Sequence, residues 1–111
     1  MKMITAIVQP FMLNKVVTAL EEIEGFPGMT ITEVRGFGRK MSRNEEHTSH
    51  IDEFHDKTRV EIVAPDEMVE PVVETIVRFA HTGNNGDGKV FVWPVERAVR
   101  IQTGERDEAA L

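Results

Sequence analysis

The stretch Gly83-Asn84-Asn85-Gly86-Asp87-Gly88-Lys89 concentrates the residue types that could grip an anion. Closely spaced glycines let backbone N–H groups approach a negative charge, and Lys89 adds a cation. The letters fit GxxxxGK, but Val90 stands where a P-loop has the Ser or Thr that holds magnesium. The setting is also reversed, because this loop leads from a helical pattern into a strand pattern. A P-loop is excluded; an anion-binding turn and a plain helix C-cap followed by a turn both stay open. A second Gly-rich spot, Gly36-Phe37-Gly38-Arg39-Lys40, pairs two glycines with two cations, although a β-bulge would look the same. Arg97, Arg100 and Gln102 form a third cluster near the C-terminus. Each alone is matched by ordinary surface ion pairing; together, on an acidic chain, they point to a local site for a small polyanion.

Between Gly38 and Asp56 lie His47, His50 and His55, interspersed with Glu45, Glu46, Asp52 and Asp56. Imidazole and carboxylate donors suit a divalent transition metal such as zinc, copper, nickel or cobalt. His47 and His50 would share one side of a helical turn, but nothing in the sequence fixes that turn. A solvated or partner-contacting loop is the competing account. His81 suits a helix end, where its charge would meet the dipole. Ser42, Ser49 and the threonines lack any nucleophile motif, and Glu21-Glu22 reads as a solvent face, so the chain is not expected to be an enzyme.

The elements that must position these residues follow from the hydrophobic pattern. The chain has 111 residues, 13 Lys+Arg against 19 Asp+Glu, a formal net charge of −6, and no cysteine. That length suits one domain, spanning residues 1–111, with a modest core. The acidic balance argues against nucleic acid as a partner. Disulfides and thiolate metal sites are excluded. No apolar run approaches a membrane span and the N-terminus shows no leader pattern, so a cytoplasmic location is expected.

Met3 to Val8 reads as a short buried strand ending at Gln9-Pro10. Leu13, Val16, Val17, Leu20 and Ile23 recur on one helical face, and Gly25-Phe26-Pro27-Gly28 stops that helix. Alternation from Met29 to Phe37 predicts a strand. The next segment, about residues 39–56, is long for a loop in so small a domain, and such loops are usually functional or disordered. Lys57 to Val63 predicts a third strand. Val69, Val72, Val73, Ile76, Val77 and Ala80 form the stripe of a second helix, with Asp66 as a candidate N-cap. Pro71 implies an irregular first turn or a helix starting nearer Glu70. The glycine loop, about residues 82–89, leads to a fourth strand at Lys89 to Trp93, and residues 95–111 form a C-terminal segment.

The two halves echo each other: Ile7-Val8-Gln9-Pro10 matches Ile62-Val63-Ala64-Pro65 at an offset of 55. A doubled βαβ unit predicts an α+β, ferredoxin-like sandwich with both helices on one face of an antiparallel sheet. The other face would be left open, and an oligomer contact is the natural way to cover it.

With these segments in place, the chain resembles the PII signal-transduction family (nitrogen regulatory protein P-II). The likeness runs through QPFMLNKVVTAL, GMTITEVRGFGR, TGNNGDGKVFV and RAVRIQTGERDEAAL. It implies a ferredoxin-like homotrimer that binds ATP or ADP between subunits. It also implies regulation of a target protein through the long T-loop between strands 2 and 3. By motif, Thr30, Gly36, Phe37, Gly38, Arg39 and Lys40 would lie on the nucleotide side nearest the T-loop. Gly86, Asp87, Gly88 and Lys89 would form the phosphate-binding B-loop. Arg100, with Gln102 beside it, would come from the neighbouring chain, and Ile7 and Val63 would flank the adenosine.

The departures bear on the effector. Lys40 replaces the family glutamine that helps hold the magnesium bridging ATP to 2-oxoglutarate, and a protonated lysine cannot coordinate a metal. Lys57 matches the family lysine associated with 2-oxoglutarate. Gln102 replaces a second arginine. These changes imply a magnesium-free mode that prefers ADP or AMP. The chain has no tyrosine, so the uridylylation known in part of the family is excluded. His-rich T-loops of this general sort occur in members associated with metal or bicarbonate transport, so a membrane transporter or an enzyme is the implied target. A divalent metal bound by His47, His50 and His55 is the alternative effector.

Overall fold

The computed structural model describes residues 1–37 and 54–111. Four strands, β1 (Lys2–Val8), β2 (Thr30–Gly36), β3 (His55–Ala64) and β4 (Gly88–Pro94), form one antiparallel sheet in the order β2-β3-β1-β4. Two helices, α1 (Leu13–Glu21) and α2 (Val69–Ala80), pack on one side of it. This is the ferredoxin-like sandwich that the doubled βαβ pattern requires.

The sequence echo has a structural counterpart. Each half runs from a strand into a short 3-10 turn and then a helix: Pro10–Met12 precedes α1, and Asp66–Met68 precedes α2. Met12 (φ −94°, ψ −7°) and Met68 (φ −92°, ψ −12°) hold the same backbone conformation just before each helix. The 3-10 turn also explains Pro71. It lies in the first turn of α2, where a helical N–H has no intrahelical acceptor to lose.

Period-two alternation sorts the central strands cleanly. Ile4, Ala6 and Val8 of β1, with Val60, Ile62 and Ala64 of β3, are buried beneath Val16, Leu20, Val72 and Ile76. Ile4 pairs with Ile62 and with Val92, so the middle of the sheet is zipped by apolar cross-strand neighbours.

Several expectations are corrected. Val77 is 56% exposed rather than part of the buried stripe. Ile23 lies beyond the end of α1, in the turn that Gly25 (φ 76°) completes. Asp66 is no N-cap: Pro65 holds the cap position, and Asp66 instead accepts a 2.5 Å bond from the Met1 amine. That amine holds the Asp66 carboxyl below its ordinary value. Strand β3 begins at His55, so His55 and Asp56, read from sequence as loop, are strand residues with ladder partners Gly36 and Arg35.

Met3, Thr5 and Ile7 point to the opposite face of the sheet, with Arg59, Glu61 and Val63 beside them on β3 and Phe91 and Trp93 on β4. Neither described helix, α1 nor α2, covers this face. Among the described residues, no helix is long and apolar enough to cross a membrane.

Candidate functional site

The glycine loop joins α2 to β4 and is built from both ends. At its start, Asp87 accepts hydrogen bonds from the Thr82 amide (2.7 Å), the Gly83 amide (2.9 Å) and the Thr82 hydroxyl. The Thr82 hydroxyl in turn accepts from the Asn84 amide at 3.2 Å. These donors, the Thr82 hydroxyl first and the Thr82 and Gly83 amides after it, hold the Asp87 carboxyl below its ordinary value. His81 closes α2 in extended conformation, with Nδ1 3.6 Å from the same carboxylate. Asp87 is thus turned into its own loop.

At the far end, Lys57 reaches from β3 and donates to the Gly86 carbonyl at 2.5 Å. Gly83, Gly86 and Gly88 have φ of 87°, 89° and 106°, the left-handed region that glycine alone enters cheaply. Gly88 is fixed by space as well: a Cβ there would lie 1.6 Å from the Ile7 carbonyl oxygen. Lys89 follows it, paired with Ile7 across the β1–β4 ladder. An open cavity of about 370 Å³ runs beside this loop, lined by Ile7, Val73, Ile76, Asp87, Gly88 and Lys89.

A second cavity of about 510 Å³ lies on the open face, away from the glycine loop, lined by Gly28, Thr30, Glu61, Val63, Arg100 and Leu111. Arg100 is carried by a hairpin closed by bonds from the Asp107 amide to Ala98 O (2.7 Å) and from the Arg100 amide to Glu105 O (2.8 Å). Its guanidinium donates to Ala110 O (3.2 Å) and Leu111 O (2.8 Å) of its own chain. Gln102 is exposed at the turn of that hairpin.

The residues singled out from sequence therefore fall into two groups. Ile7, Lys57, Gly86, Asp87, Gly88 and Lys89 gather at one end, and Thr30, Val63 and Arg100 at the other. Val63 pairs with Met3 and Ile7 with Arg59, four positions apart, which is about 13 Å along a strand. One chain cannot press both against one small ligand.

Gly36 ends β2 with the Lys57 stem against it, 3.5 Å from where a Cβ would stand. Phe37 and Phe54, both about half exposed, meet with ring centroids 5.8 Å apart. Gly38, Arg39, Lys40, His47 and His50 lie outside the described residues; His55, which is described, is the first residue of β3. Among the described residues there is no group of three or more His, Asp or Glu side chains placed to hold a metal ion.

Sequence reasoning placed Thr82 in the glycine loop and Gly28 in a turn, but named neither of them, nor Glu61, as a candidate site residue. Thr82 was legible in principle, because Thr and Asp bracketing a glycine loop are the usual parts of a side-chain-closed turn. Glu61 was hidden by its alternation within an ordinary strand.

The chain matches the family model described as "Nitrogen regulatory protein P-II" over residues 1–105. It is 49% identical to "Nitrogen regulatory protein P-II 1" of Escherichia coli strain K12, over 113 aligned positions that cover 100% of both chains. Proteins called "Nitrogen regulatory protein P-II" from Klebsiella oxytoca and Haemophilus influenzae are 48% identical over the same full span.

Proposed function

This chain belongs to the nitrogen regulatory protein P-II family, and on that footing we propose that three copies close into a ring with three shared adenine-nucleotide sites. Each site would join the B-loop end of one copy to the Thr30–Arg100 end of the next. The protein is a non-catalytic, nucleotide-binding signal-transduction protein of nitrogen metabolism. Family members act as trimers that regulate target proteins through the T-loop.

The observation that carries the reading is the split of the candidate residues between two ends of one uncovered face. Lys89 and the B-loop glycines can meet the phosphates, but Lys57 beside them is engaged with the Gly86 carbonyl, and Arg100 lies at the other end. Arg100 lies in a cavity with Thr30 and Val63 but without a glycine loop. A head-to-tail contact between copies brings unlike ends together, and a rotation that closes gives identical sites. Arg100 must leave Ala110 O and Leu111 O to reach a neighbour's phosphate, and a charge-assisted bond to phosphate favours that exchange.

Within the ring, Ile7 and Val63 would flank the base, and Thr30 and Glu61 would meet its polar edge or the ribose. Gly86, Gly88 and Lys89 would take the phosphates. Arg39 and Lys40, outside the described residues, are assigned to the phosphate side on the resemblance alone. Lys57 already donates to Gly86 O, so a 2-oxoglutarate carboxylate would have to win it from that carbonyl. With Lys40 and Gln102 in place of the family residues, ADP or AMP without magnesium is the preferred ligand. The target would be a transporter or an enzyme met by the segment from Lys40 to Asp56, with the protein working in the cytoplasm.

Mixed rings test the shared site. Lys89→Ala and Arg100→Ala chains, each defective for ADP alone, should regain ADP binding when unfolded and refolded together. Every mixed trimer then holds one junction with both wild-type halves. Native mass spectrometry should show species near three times the 12.6 kDa chain mass. Mixed trimers with no regained binding would show that the site is not shared. Calorimetry in which ATP binds far more tightly than ADP, and only with magnesium and 2-oxoglutarate, would overturn the ligand preference.

A further inference from the structure

Resting on the reading of the glycine loop as a phosphate site, we infer that the Thr82 hydroxyl and the Asp87 carboxylate are positioning residues. They read the number of phosphates on the ligand without touching it. Asp87 stands inside the motif that the resemblance assigns to phosphate binding, yet its side chain is spent within the loop. Its two oxygens take the Thr82 hydroxyl, the Thr82 amide and the Gly83 amide. A carboxylate is also the wrong charge to meet a phosphate, and three internal donors satisfy its oxygens where it stands.

The consequence is geometric. The carboxylate ties the end of the loop back to its start, and the Lys57 ammonium holds the Gly86 carbonyl at 2.5 Å from the other side. Both anchors restrain the backbone from Gly86 to Gly88, whose two glycines hold positive φ. Amides so fixed are ready for an anion and incur no ordering cost when it arrives. Without the Thr82 hydroxyl, Asn84 loses an acceptor and Asp87 loses one of its three donors. The ligand must then order the loop itself. That cost falls on the phosphate end alone, since the base would rest on Ile7 and on a different cavity of the adjoining copy.

Calorimetry with adenosine, AMP and ADP against wild type, Thr82→Val, Thr82→Ser and Asp87→Asn tests this. Valine keeps the shape of threonine and removes the hydroxyl; serine restores it. Losing one hydrogen bond to a charged group should weaken ADP binding by about tenfold. Adenosine should change by less than about twofold, AMP should fall between, and serine should recover most of the ADP affinity. Asp87→Asn should reproduce the graded loss independently if the valine variant does not fold. Equal losses for adenosine and ADP, or no rescue by serine, would overturn the positioning role. A wild-type protein that ignores ADP would instead refute the phosphate-site reading beneath it.

Discussion

Gly88→Ala should be among the most damaging single-methyl additions in this chain. At φ 106° an L side chain is already strained, at about 1–3 kcal/mol. The added Cβ would also stand 1.6 Å from the Ile7 carbonyl oxygen and 2.7 Å from its carbon. Neither atom belongs to a flexible side chain: both are backbone of β1, whose neighbour Val8 is fully buried. The strands must part at the Val8–Gly88 and Ile7–Lys89 pairs, which removes ladder bonds and opens the core edge. Strain and lost pairing together should cost about 3–5 kcal/mol. Gly104→Ala is the control, since Gly104 has φ 74° and nothing within 4 Å of a Cβ; its cost should stay near 1–2 kcal/mol. Urea titration read through Trp93, the sole tryptophan in a chain without tyrosine, follows β4 directly. With a slope of about 1–3 kcal/mol per molar, the Gly88 variant should unfold at least about 1 M earlier than wild type. Both variants must be compared at equal protein concentration, because assembly adds to apparent stability. Midpoints for the two variants within experimental error of each other would refute the steric reasoning.

The Phe37–Phe54 ring contact should show a coupling of about 0.5–1.5 kcal/mol in a double-mutant cycle with alanine; strict additivity would mean that the rings do not stabilise each other. The depressed Asp87 carboxyl contributes loop stability that is complete above the ordinary carboxylate value and is lost as pH falls through its lowered one. Thr82 and Gly83 amide signals should therefore hold steady from pH 7 to about 4 and move only below that, and Asp87→Asn should abolish the movement; a transition near neutral pH would show that Asp87 does not govern the loop. Lys57→Met should speed hydrogen exchange around Gly86–Gly88 by about fivefold, the value of one exposed charge-assisted bond. Unchanged exchange would show that the bond to Gly86 O does not order the loop.

Much of the fold was written in period and offset. Ile4, Ala6 and Val8 alternate, the Val72–Ile76 spacing is helical, and the two halves repeat their strand, Pro-marked turn and helix. What escaped was set by long-range geometry. Asp66 has the right type and place for an N-cap, but Met1 comes beside it only once β1 lies next to β3. Val77 fits the helical stripe by number, yet α2 buries a narrower face than its valines mark. The candidate site could be read as glycines and cations but not, from local pattern, as two halves, because no local pattern says that Val63 and Ile7 end four pairs apart. Thr82 and Glu61 were not named as site residues because a hydroxyl in a loop and an acid in a strand have many uses.

The open face carries its own argument for a closed assembly over an open one. Thr5 Oγ1 is buried there without a hydrogen-bond partner among the described residues, beside Glu61 and Phe91. Arg59 Nε lies 3.4 Å from Glu61 Oε1, an ion-pair distance without hydrogen-bond alignment. Buried polar atoms of this kind require a partner or an ordered water, so this face is no featureless apolar patch that could mate in any register. Met3, Phe91 and Trp93 supply area around them, and the polar positions dictate where a neighbour can sit. Head-to-tail contact in a fixed register leaves one unmatched half-site at each end of an open chain of copies, and growth would continue from both. If the proposed site is shared, only a ring that returns to its first copy would match every Lys89 with an Arg100. On the proposed shared site, a nucleotide bridging each junction would stabilise the ring by mass action, so that occupancy and closure would report on each other.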